Sequence, residues 1–156
     1  MLKEIKDYWE GMLKLGATSF WEEFDPAKQG NAHLAMYGRP FGKSLCHAWG
    51  ASPIYLPGKY FLGVKPTSAG YASWLAEPAL GGLKWMEGTV PTPNGEIKIY
   101  CSTTEIRIRG SEGTGILKIK SSSRPVCKGA VIRSLTGNSY EIEIMKAKEY
   151  LVKYKL

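Results

Sequence analysis

The stretch Gly16-Ala17-Thr18-Ser19-Phe20-Trp21-Glu22-Glu23-Phe24-Asp25-Pro26 puts three carboxylates and three aromatic rings into eleven residues. Aromatic faces beside carboxylates suit a sugar ring: its C–H faces stack on flat apolar surfaces, while acids do proton work at the glycosidic oxygen or at water. The same composition also describes a capped turn with an aromatic core anchor and solvated acids, and the stretch alone does not separate the two.

Few other residues offer chemistry. His33 and His47 are the two histidines, and Cys46, Cys101 and Cys127 are the three cysteines. An odd number of cysteines without metal-ligand spacing argues against a disulfide framework or a zinc site. No cofactor is expected. Reduced, packed cysteines fit a reducing, cytoplasmic setting, which the sequence favours without fixing the location.

The elements that must position these residues change character along the chain. Residues 3–15 read as an amphipathic helix, with Ile5, Tyr8, Trp9, Met12 and Leu13 at spacings of three and four, closed by Gly16. Residues 26–43, rich in Pro, Gly, Asn and Lys, read as a long irregular connection, and loops of that length tend to be functional or poorly ordered. Ser44 is placed to cap a second helix over Leu45–Ala51, and a further helix is expected to restart near Pro53. That helix would bury Ile54, Tyr55, Leu56, Tyr60, Phe61 and Leu62 on nearly all sides. Two helices cannot cover each other's circumference, so residues 1–66 read as part of a larger helical body.

After Lys65-Pro66-Thr67 come short alternating runs: 71–75, 83–90, 97–101, 105–109, 115–120, 130–135, 140–145 and 150–154. Pro91-Thr92-Pro93-Asn94-Gly95 and Thr136-Gly137-Asn138 read as turns between them. Strands at this spacing indicate an antiparallel β-sandwich, jelly-roll-like, over residues 67–156. The fold class is therefore α + β.

The net charge of +7 first suggests an anionic partner, but its distribution argues otherwise. Cations alternate with apolar residues in Ile106-Arg107-Ile108-Arg109 and Leu117-Lys118-Ile119-Lys120, the pattern of a wetted strand face and not of a nucleic-acid patch. No run of eighteen apolar residues suggests a membrane span, and the alternating N-terminus MLKEIKDYWEG is unlike a secretory signal.

Four blocks, in order, carry a resemblance. Gly16 to Asp25, Ser44-Leu45-Cys46-His47-Ala48-Trp49-Gly50-Ala51-Ser52-Pro53, Gly63-Val64-Lys65-Pro66, and Gly88-Thr89-Val90-Pro91-Thr92-Pro93-Asn94-Gly95 resemble the C-terminal end of bacterial α-L-rhamnosidases, glycoside hydrolase family 78. The resemblance implies that residues 1–66 are the C-terminal helices of an (α/α)6 barrel catalytic domain and 67–156 its closing β-sandwich. It implies that Glu22 is the general base on water and that His47 contacts the rhamnose. Trp21 and Trp49, by their aromatic faces, suit either stacking on sugar or filling core, and of the two Trp21 is the expected stacking surface. The resemblance also implies hydrolysis of terminal α-L-rhamnosides with inversion. That chemistry needs a general acid about 6.5–9.5 Å from the base, and the acid belongs to an earlier part of the barrel. Pro57 departs from the family's pattern and is expected to kink the last helix.

Two functions from different classes follow. In the first, the chain is part of an inverting rhamnosidase, inactive by itself, whose partners are a rhamnose-containing glycoside and the rest of the barrel. In the second, it is a non-catalytic carbohydrate-binding or structural module. Either way the helical part is expected to expose apolar surface, which would favour self-association or packing on the sandwich.

Overall fold

The computed structural model describes residues 2–156, which divide into two compact units, one ending at Tyr55 and the other running from Leu56 to Leu156. The division falls inside a helical run, ahead of the composition change at Lys65-Pro66-Thr67.

In the first unit, residues 2–14 form one helical run. Its middle turn, Lys6–Glu10, is wound wider than the α-helical turns Leu2–Ile5 and Gly11–Lys14 on either side. Gly16 ends it as the sequence predicts. With φ at 83°, it donates to Leu13 O at 2.9 Å while Ala17 donates to Met12 O at 3.1 Å, the paired bonds of a Schellman cap. Met12 is buried with Trp21 and Phe24, against half-buried Tyr8, Trp9 and Ala17. Leu13 points outward instead of joining this core.

The helix expected over Leu45–Ala51 does not begin at Ser44. Residues 44–47 are tied by main-chain bonds to residues 20–22: the Glu22 amide donates to Ser44 O at 2.9 Å and the His47 amide to Phe20 O at 2.8 Å. Backbone groups spent on that pairing cannot start a helix. Helical structure begins at Ala48–Ala51, continues through Ser52–Leu56, and widens at Pro57–Phe61. Pro57 has no N–H to give, and the Leu62 amide returns to Pro57 O, five residues back, at 2.9 Å. The all-round burial expected of this segment is not observed: Phe61 and Leu62 are buried, but Ile54 is 74% exposed and Tyr55 60%. These short helical segments are also not the paired long helices of an (α/α)6 barrel, because Pro53, Pro57 and the Gly- and Pro-rich stretch between residues 26 and 43 keep each one short.

The second unit contains two five-stranded sheets. The strands are β1 (Val64–Pro66), β2 (Ser73–Ala76), β3 (Trp85–Thr92), β4 (Gly95–Ser102), β5 (Glu105–Arg109), β6 (Thr114–Lys120), β7 (Val126–Cys127), β8 (Ile132–Ser134), β9 (Ser139–Ile144) and β10 (Glu149–Lys153). One sheet has the order β1-β2-β6-β9-β8 and the other β3-β4-β5-β10-β7. Among the described residues the pairings are antiparallel except β2 with β6, which is parallel and registers Ser73 with Thr114.

The period-2 pattern sets this core. Ile97, Ile99, Ile106, Ile108, Leu117, Ile142, Ile144 and Val152 are fully covered, while Lys98, Arg107 and Arg109 point to water. Burying such side chains is worth about 1.5–3 kcal/mol each, which makes the sandwich the stable part of the chain. The β3–β4 hairpin turns through Pro93-Asn94, with Thr92 registered on Gly95. Pro91 is accommodated because β3 is an edge strand.

Candidate active site

The main-chain bonds between residues 20–22 and 44–47 bring Glu22 and His47 together. His47 Nδ1 lies 3.8 Å from Glu22 Oε2, and the Glu22 side chain is only 4% exposed against 29% for His47. The Ser44 amide donates to Glu22 Oε2 at 3.1 Å, and the Tyr37 hydroxyl donates to Oε1. The Trp49 indole N–H donates to the Glu22 carbonyl at 3.0 Å, and the Trp49 ring lies 4.1 Å from the His47 ring, tilted by 34°. A cleft of about 320 Å³ opens here, lined by Glu4, Tyr8, Trp9, Glu22, Trp49 and Gly50.

Hydrogen bonding sets the charge state of Glu22. The Tyr37 hydroxyl first, and the Ser44 amide next, hold its carboxyl below the usual value; desolvation opposes them, and the charges of His47 and Lys43 add lesser lowering effects. An ionised carboxylate has about four lone-pair sites, and two are occupied here, so it retains acceptors for a water proton. Conversely, Glu22 raises the Tyr37 hydroxyl, which keeps it a donor.

The neighbouring acids have structural partners. Asp25 Oδ1 accepts from the Ala27 amide at 2.9 Å, an Asx turn that fits the following proline. Glu23 lies 3.3 Å from Lys28 Nζ and 3.6 Å from Lys43 Nζ; the Lys43 side chain is fully covered and makes no hydrogen bond. The stretch thus divides its three carboxylates into one held by Tyr37 and Ser44 beside His47 and two holding the loop.

Trp21, expected to stack on substrate, is instead core: 6% exposed, packed with Met12 and Phe24. Trp9 and Trp49 hold the aromatic positions on the cleft, anchored through their indole nitrogens, Trp9 to Gly50 O at 2.8 Å. His33 is buried and stacked on Phe24, rings parallel at 5.6 Å. Tyr37 and Lys43 were not singled out by sequence reasoning. The signal available for Tyr37 was an aromatic residue inside a Pro- and Gly-rich loop. Among the described residues no group of three His, Cys, Asp or Glu is placed to hold a metal ion, and no helix is long and apolar enough to cross a membrane.

Residues 63–109, which hold β1 to β5, match the family described as the bacterial alpha-L-rhamnosidase C-terminal domain. The chain is thus similar to the C-terminal portion of a bacterial α-L-rhamnosidase. In fold it is similar to the crystal structure of Streptomyces avermitilis alpha-L-rhamnosidase complexed with L-rhamnose, with a TM-score of 0.74 at 16% identity, over 94% of this chain and 15% of that one. No curated protein matches the sequence. The family match lies wholly in the second unit, and Glu22 and His47 lie in the first.

Proposed function

We propose that this chain is the C-terminal part of an inverting α-L-rhamnosidase, with Glu22 as the general base that activates water at the anomeric carbon of a terminal α-L-rhamnoside. The observation that carries the reading is the Glu22 carboxylate itself: held ionised by Tyr37 and Ser44, beside His47, on a residue that lines a cleft with Trp9 and Trp49. The geometry suits a base. Water approaching Glu22 gives up its proton to a free carboxylate lone pair as it attacks, and His47 and the indole rings bind and orient the sugar. Other parts of the same enzyme would supply the general acid about 6.5–9.5 Å away. The exposed Leu13, Trp49, Ile54 and Tyr55 are apolar surface that those other parts would cover. Because the chain spans 15% of the rhamnosidase whose fold it shares, the 156-residue chain alone is expected to be inactive.

The test is release of aryl alcohol from an aryl α-L-rhamnoside by a protein that carries this chain together with the preceding barrel. Glu22→Gln should cost about 10² to 10⁴ in rate, and most of the activity surviving that change would sink the assignment.

A second reading, glycan binding by the sandwich, has its own observation. On the β3-β4-β5 sheet, half-exposed Trp85 stacks on Tyr100 with centroids 6.3 Å apart and planes at 21°, and the Arg107 guanidinium lies 4.3 Å over the Tyr100 ring. Aromatic side chains displayed on a sheet face can stack on sugar rings. Titration calorimetry of the chain with rhamnose oligosaccharides separates the readings, because binding lost in Trp85→Ala but kept in Glu22→Gln belongs to the sandwich.

A further inference from the structure

The grip on Glu22 comes from one short hairpin. The Met36 amide donates to Arg39 O at 3.0 Å and the Arg39 amide to Met36 O at 2.9 Å, leaving Tyr37-Gly38 as a two-residue turn. Both central residues have positive φ, 52° at Tyr37 and 74° at Gly38, the arrangement of a type I′ turn. Gly38 adopts it without cost. Tyr37 does not: a bulky side chain in the left-handed region is an outlier, and Asn, Asp or Gly would be the ordinary occupant.

Packing does not explain the tyrosine, because its ring is 69% exposed. Its hydroxyl does have a partner, Glu22 Oε1. At the base of the same loop the Lys43 amide donates to Leu34 O at 3.1 Å, and the next amide, that of Ser44, reaches Glu22 Oε2. One loop therefore holds both oxygens of one carboxylate, from its tip and from its base. Backbone strain that persists without a packing reason collects at places where a side chain must be held for function.

We propose that Tyr37 is a positioning residue for Glu22: the strained turn holds its hydroxyl on Oε1 so that the carboxylate cannot rotate about its terminal bond. This rests on the reading of Glu22 as a base, but its test does not. The titratable groups around the Glu22 carboxylate are Tyr37, His47 and Lys43, with Glu23 paired to Lys43 and Glu4 on the same cleft.

The experiment is a ¹³C-carboxyl NMR titration of the full chain, with the Glu22 signal assigned by its loss in Glu22→Gln. Tyr37→Phe keeps the ring and removes the donor. Tyr37→Asn removes the donor and relieves the turn. The expected result is a higher Glu22 midpoint in both variants, with Tyr37→Asn at least as heat-stable as the parent chain. An unmoved midpoint in either folded variant overturns the proposal. In a protein with rhamnosidase activity, Tyr37→Phe should lower kcat and move the acid limb of the rate profile to higher pH, while KM changes little. Absence of rhamnoside hydrolysis by the parent protein would defeat the functional reading and leave the titration result standing.

Discussion

The indole nitrogen of Trp49 donates to the main-chain carbonyl of Glu22 at 3.0 Å, tying the ring on the cleft to the backbone of the residue that carries the carboxylate. Trp49→Phe keeps an aromatic face and deletes this bond. We expect about 0.5–1.5 kcal/mol of lost stability in urea unfolding, and a larger fractional loss of rhamnoside turnover than of stability.

Removing the Glu22 carboxylate while leaving space gives a sharper test of its role. An anionic nucleophile such as azide needs no deprotonation, so it should restore turnover to Glu22→Ala and not to the parent protein. Product analysis should then show a rhamnosyl azide of inverted configuration. No rescue, with the fold intact, would argue that Glu22 is not the base.

Acid should loosen the first unit through the same residue. The folded-state value of Glu22 lies below its unfolded value, so its contribution to stability is present above the unfolded value near 4.5 and is lost as pH falls through the lower folded value. The urea midpoint of the parent chain should fall over that window, and Glu22→Gln should flatten the fall. Equal pH dependence in both would contradict the role of the Tyr37 and Ser44 hydrogen bonds.

Lys43 predicts a stability effect. Its covered ammonium has Glu23 as its near countercharge, 3.6 Å away. Glu23→Gln should therefore destabilise by about 1–3 kcal/mol, and Lys43→Met in the same background should recover part of that loss in thermal unfolding.

The cysteines should react in order of exposure. Cys46 is exposed, Cys127 intermediate and Cys101 buried. Burial raises the thiols of Cys127 and Cys101 as well, and the Cys101 sulfur sits 3.8 Å from the Tyr154 hydroxyl. Thiol-reactive probes should label Cys46 within minutes and Cys101 only on unfolding. Fast labelling of Cys101 in the folded chain would contradict the packing of β4.

The sandwich was legible in the sequence where alternation was strong. Ile106 and Ile108 face inward between Glu105, Arg107 and Arg109, and the Pro93-Asn94 and Gly137-Asn138 turns fall where their residue types put them. Two strands were missed because they are too short for any period: β1 has three residues ending in Pro66, and β7 has two after Pro125. The helix expected after Ser44 failed for a non-local reason, since its backbone pairs with residues more than twenty positions earlier. Glu22 and His47 were legible as a pair through family resemblance. Composition could not say which tryptophan faces the cleft, and nothing in the local sequence required an αL tyrosine at position 37.

The parallel pairing of β2 with β6 also fixes how the second unit must assemble. The β3–β4 hairpin closes through two residues and can form in microseconds, but β2 cannot dock until the chain has looped back from Thr114. The segment that matches the family, residues 63–109, contains β2 without β6 and β5 without β10. Excised at those limits it would have two open sheet edges and no completed core; the compact unit is the whole of Leu56–Leu156.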